Sequence, residues 1–99
     1  PPPATVAMRL PDGLAAMRAE SITLTLESSG RWPNAGVTTE LFDWARGAWV
    51  AQSFDGPGDL ALPDAGPYLL GGQLLLRLSG PIENAQCIYA TAAVRGTLP

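Results

Sequence analysis

SITLTLE, residues 21–27, constrains this chain more than any other stretch. Ile22, Leu24 and Leu26 alternate strictly with Thr23, Thr25 and Glu27, the period of a strand with one wet face and one buried face. Such a strand needs hydrogen-bonded neighbours and an apolar layer beneath it. The remaining sequence offers more strands and little else. In ATVAMRL, Val6, Met8 and Leu10 oppose Thr5, Ala7 and Arg9 before Pro11-Asp12-Gly13 ends the run. In QLLLRLS, Leu74, Leu76 and Leu78 oppose Gln73, Leu75 and Arg77, and Gly80-Pro81 breaks it. CIYATAAVRG sets Ile88, Ala90, Ala92 and Val94 on one face, where small alanines imply a close approach by the opposite layer. VTTELFDW and AWVAQSF flank Arg46-Gly47 as the arms of a hairpin. LAAMRAE, residues 14–20, is the one helix-compatible piece, and it is too short to stand without packing. SSGRWPNAG reads as a loop, and DGPGDLALPDAGP, residues 55–67, as a long irregular crossing.

These pieces predict an all-β fold: a two-sheet antiparallel β-sandwich, jelly-roll or Greek-key-like, with about six to eight strands. At most one short helical turn is expected, near residues 14–20. Pro1–Pro3 read as the end of a Pro-rich linker from a preceding domain, and residues 4–98 as one sandwich domain.

Composition narrows function mainly by exclusion. The formal net charge is -3 and no basic stretch occurs, so nucleic acid is a poor partner. No apolar run reaches membrane-spanning length, so this segment is not expected to insert in a membrane. The chain holds no His, and all six of its cations are Arg. The commonest general base and zinc ligand are missing, and no Lys can replace His beside a serine. With no phosphate-cradling or dinucleotide glycine pattern either, neither an enzyme nor a cofactor is expected. Cys87 is the single cysteine, which rules out an intrachain disulfide, and it reads as a small apolar residue in or beside a strand. Glu40 and Asp43, three apart on a strand, point to opposite faces and cannot act as a carboxylate pair. Asp55, Asp59 and Asp64 fall in a Gly/Pro-rich segment where calcium would find oxygen ligands, but their spacing matches no calcium loop. They are weak candidates beside the plainer role of solvated turn formers.

The aromatic residues carry the sharpest question. If Arg46-Gly47 were a two-residue loop, Trp44 would face Trp49 across the ladder, with Phe42 on the same side. A three-residue loop with a bulge at Gly47 would separate the two indoles. The opposite side carries Val37, Leu41 and Val50 but also Asp43 and Gln52, so the pattern leaves open which side is core. Trp44 and Trp49 are either a clasp that holds the hairpin or a ligand platform, with Trp32, Tyr68 and Arg46 at its rim.

The segments SITLTLES, VTTELFDWARGAWV, YLLGGQLLLRLSG and CIYATAAVRGTL, in that order, resemble β-sandwich modules of large bacterial surface and membrane-anchored proteins. These modules belong to the jelly-roll, galactose-binding-like group. The resemblance implies an extracellular or cell-envelope location and transfers no ligand residues, because that frame has no shared binding motif. The expected role is a non-catalytic accessory or interaction module whose partners are other domains of its own chain, a glycan or a protein surface. A carbohydrate-binding module on the 40–50 hairpin and a structural spacer or assembly domain are the alternatives.

Overall fold

The computed structural model describes residues 3–34, 36–80 and 87–99. Seven strands follow one another: β1 (Ala4–Arg9), β2 (Arg18–Ser28), β3 (Thr38–Asp43), β4 (Ala48–Gln52), β5 (Gly58–Leu62), β6 (Gln73–Ser79) and β7 (Ile88–Thr97). Two 3-10 turns, Asp12–Leu14 and Gly66–Tyr68, are the helical structure among these residues. The first shares only Leu14 with the stretch expected to turn, whose Arg18–Glu20 already belong to β2, and the second lies outside that stretch. Pro1, Pro2 and Pro81 lie outside the described residues. Among those described, no helix is long and apolar enough to cross a membrane.

The pairings are nested. β3 pairs with β4 at the centre, β2 with β5 outside them, and β1 with β6 outside those, all antiparallel. The chain is a long hairpin closed at β3–β4 and wrapped over itself into two sheets, ordered β1-β6-β3-β4 and β5-β2-β7. This is a jelly-roll path. In an eight-stranded jelly roll the outermost pair joins the last strand to one ahead of the strand that corresponds to β1. Among the described residues β7 instead ends its sheet, with β2 as its neighbour.

Strand alternation sets the core. Ile22, Leu24 and Leu26 of β2 meet Leu41 of β3 and Leu74, Leu76 and Leu78 of β6, all buried. Each side chain of this size stabilises the fold by roughly 1.5–3 kcal/mol through burial. The segment read as an irregular crossing contains β5, whose Leu60 and Leu62 pair with Leu24 and Ile22. Gly and Pro on both sides mask its alternation in the sequence.

Among the described residues, one side of the sandwich stays open. β1 and β7 end their respective sheets along the same side and border a groove of about 320 Å³. Met8, Leu10, Leu74, Ala90, Ala92 and Val94 line it. The close approach expected over the alanines does not occur: Ile88, Ala90, Ala92 and Val94 face the interior yet are half-buried. Facing sheets lie ~10 Å apart, and a methyl group is too short to close that gap.

Candidate functional site

The 40–50 hairpin is built differently from the two-residue loop that the spacing allowed. Asp43 pairs with Ala48 and Phe42 with Trp49, so Trp44, Ala45, Arg46 and Gly47 form a four-residue turn. Trp44 does not face Trp49. Asp43 organises the wider turn from within: its Oδ1 accepts the Arg46 backbone N–H at 2.9 Å, and its carbonyl accepts that of Gly47 at 2.8 Å. Gly47 closes the turn at φ 66, a conformation that favours glycine. The Trp44 N–H donates to the Pro67 carbonyl at 2.8 Å, tying the turn to the second 3-10 segment.

The hairpin's two sides now have distinct roles. Leu41 and Asp43 are buried on the inner face, with Val50 opposite Leu41. Phe42, Trp44 and Trp49 lie on the outer side, half-buried against one another. The Phe42 ring meets Trp44 at 5.0 Å and 80°, and Trp49 at 5.3 Å and 71°. Both are edge-to-face contacts, the arrangement that the aromatic quadrupole favours. Trp44 Nε1 donates to the Gln73 carbonyl at 3.2 Å, which anchors that indole to the start of β6.

A cation covers the second indole. The Arg77 guanidinium carbon lies 4.4 Å from the centre of the Trp49 ring. Its Nε and Nη2 donate to the two carboxylate oxygens of Glu40, each at 3.0 Å. The paired geometry fixes the guanidinium plane as well as its charge. These hydrogen bonds hold the Glu40 carboxyl below its ordinary pKa, assisted by the Arg77 charge and opposed by partial burial. The same bonds raise Arg77 above its ordinary value.

The other residues expected at a rim are scattered. Arg46 sits on the turn with its side chain 77% exposed, 3.7 Å from Asp43 Oδ2. Tyr68 packs against the core from the second 3-10 turn, and its hydroxyl accepts from Gln52 Nε2 at 3.4 Å. Trp32 lies by the start of β3, away from the turn, where its Nε1 donates to the Asp55 carbonyl at 2.8 Å. A Cβ at Gly56 would run into the Trp32 ring, so glycine is what lets that indole lie flat against the chain. The structure therefore brings Trp44 and Trp49 together around Phe42, and leaves Trp32, Tyr68 and Arg46 apart from that cluster.

The acids separate likewise. Asp59 is on β5 and accepts the Thr25 hydroxyl at 2.7 Å; Asp64 is in the turn after β5, and Asp55 follows β4. Among the described residues, no three Asp, Glu, His or Cys side chains gather to hold a metal ion. Cys87 is exposed beside β7, its N–H donating to Ser29 Oγ at 3.1 Å. Glu40 and Asp43 do point to opposite faces. What the residue pattern did not disclose is Arg77, which joins Glu40 to Trp49 from a strand 37 positions away.

Neither the curated proteins nor the solved structures contain a match to this chain. A family model spans the sandwich from residue 1 to residue 96. By that match the chain belongs to the family described as "Domain of unknown function (DUF8815)".

Proposed function

We propose that the chain is a non-catalytic accessory and interaction module, one β-sandwich of a larger secreted or envelope-attached bacterial protein whose other domains it contacts. The observation that supports this reading is the use to which its candidate groups are put. Asp43 organises a turn, Glu40 holds Arg77, Arg77 covers Trp49, and the Trp44 and Trp32 indoles donate to backbone carbonyls. These residues hold strands together. A sugar ring stacking on Trp49 would compete with Arg77 for the indole face. The attachment to a secreted or envelope protein rests on the sequence resemblance.

The test combines fluorescence with a glycan array. Emission of the intact chain should be blue-shifted and weakly quenched by iodide, and Trp49→Ala should lower the melting temperature. Glycan hits that disappear in Trp49→Ala while its melting temperature stays at the wild-type value would replace this reading with carbohydrate binding.

A further inference from the structure

The hairpin shows, within this molecule, what an indole and a carboxylate hold between them. The Arg77 guanidinium lies 4.4 Å from the centre of the Trp49 ring while Glu40 accepts two of its N–H groups at 3.0 Å. A second indole and a second carboxylate, Trp32 and Glu27, border one cleft beside the end of β2 and the start of β5. Among the described residues, no ion pair and no cation–ring contact involves either of them. We propose that this cleft receives an arginine side chain from a partner protein. The proposal names a partner chemistry for the interaction module and rests on that reading.

The sequence builds the cleft from three short pieces. Alternation along β2 turns Leu26 inward and buried, and leaves Glu27 exposed on the outer side. The loop after β2 brings Trp32 back beside Gly56 and Pro57, which lead into β5, and Gly58 of β5 pairs with Leu26. Between them lies a space of about 500 Å³, bordered by Leu26, Glu27, Gly30, Trp32 and Pro57. Its walls are held in place. Trp32 Nε1 donates to the Asp55 carbonyl at 2.8 Å, and the ring lies where any Cβ at Gly56 would collide with it. The Ser28 hydroxyl donates to the Gly30 carbonyl at 2.6 Å and sets the loop on the other side. The indole is thus ordered before a ligand arrives, which spares the entropy of fixing it on binding.

The groups at the cleft select a guanidinium. Its flat, weakly hydrated surface lies on an aromatic ring while its edge donates paired hydrogen bonds to a carboxylate. A lysine ammonium is a compact, strongly hydrated charge without that edge. Nothing has to be displaced: Arg31, next to Trp32 in the chain, is exposed and makes no ion pair or ring contact among the described residues. The net charge of -3 adds a general attraction for a basic partner. One side chain at so open a site binds weakly, with a dissociation constant on the order of millimolar.

Indole N–H resonances in a proton–nitrogen NMR spectrum test the proposal, because each of the three tryptophans gives its own and Trp32→Phe identifies that of Trp32. Titration with acetyl-Gly-Arg-Gly-amide at neutral pH should shift the Trp32 resonance saturably. The same peptide with citrulline, the neutral counterpart of arginine, should leave it in place. Glu27→Gln, a change at an exposed side chain, should raise the dissociation constant about threefold or more with the rest of the spectrum preserved. A lysine peptide should bind wild type more weakly by a similar factor. The absence of a saturable shift overturns the proposal, and so does an equal response to the citrulline or lysine peptide. Wild-type affinity in Glu27→Gln overturns it as well. A shift with a neutral oligosaccharide and none with the arginine peptide overturns it in favour of a sugar site. Trp49→Ala should leave the titration unchanged, so failure here and failure of the functional reading are distinguishable.

Discussion

Thr39 and Glu40 are neighbours on β3 with opposite surroundings. Thr39 is fully buried on the inner face, and its hydroxyl has no hydrogen-bond partner among the described residues. An unpaired buried polar group costs about 1–3 kcal/mol, and valine matches threonine in shape. Thr39→Val is therefore expected to raise the unfolding free energy by about 1 kcal/mol, read as a higher urea midpoint at unchanged slope. Glu40 points outward to Arg77, and its carboxyl is held below the unfolded value of 4.5. Folding then favours its deprotonated form, so its contribution is complete above 4.5 and fades as pH falls through the lower folded value. Thermal melts should show Glu40→Gln less stable than wild type at neutral pH, with the difference closing on acidification below about pH 4. The sequence told these two residues apart by face, because side chains alternate along a strand. It could not tell that Thr39 lacks a partner or that Arg77 reaches Glu40, since both depend on which strands are neighbours.

Strands whose alternation was clean were legible, and those interrupted by Gly and Pro were not. β2 and β6 stand where their leucines place them. β5 was hidden because Gly58 and Pro63 frame a stretch with two inward leucines, too few to set a period. The hairpin's register lies two residues from that of a two-residue Arg46-Gly47 loop. Arg46-Gly47 satisfies the composition of a two-residue loop, but the buried Asp43 carboxylate draws in the Arg46 N–H and lengthens the turn to four residues. The shift is even, so Trp49 kept its face and exchanged Trp44 for Phe42 as its partner. Gly47 has φ 66 and open space around the position of a Cβ, so a substitution there meets backbone strain alone. Gly47→Ala should destabilise the domain by about 1–2 kcal/mol in chemical denaturation, and Gly47→Asn by less.

At the scale of the molecule, alternation says which residues face inward but not how the strands are ordered. The nested pairing lies in backbone hydrogen bonds between segments far apart in sequence, which no local pattern records. It also sets a timetable. β3 and β4 need close a turn of four residues, 44–47, and once they have met, β2 and β5 are separated from them by short connections, 29–37 and 53–57. Each inner pair lowers the entropy lost in closing the next, so the chain can zip from its tip outward. In stopped-flow measurements, Leu41→Ala should slow folding, with φ about 0.5–0.8, whereas Val94→Ala should mainly hasten unfolding, with φ about 0–0.3. Amide exchange should begin in β1, β4, β5 and β7, each with one hydrogen-bonded neighbour, and come last in β2, β3 and β6, each with two. β7, the strand that the nested order brings in last, is then among the first to leave.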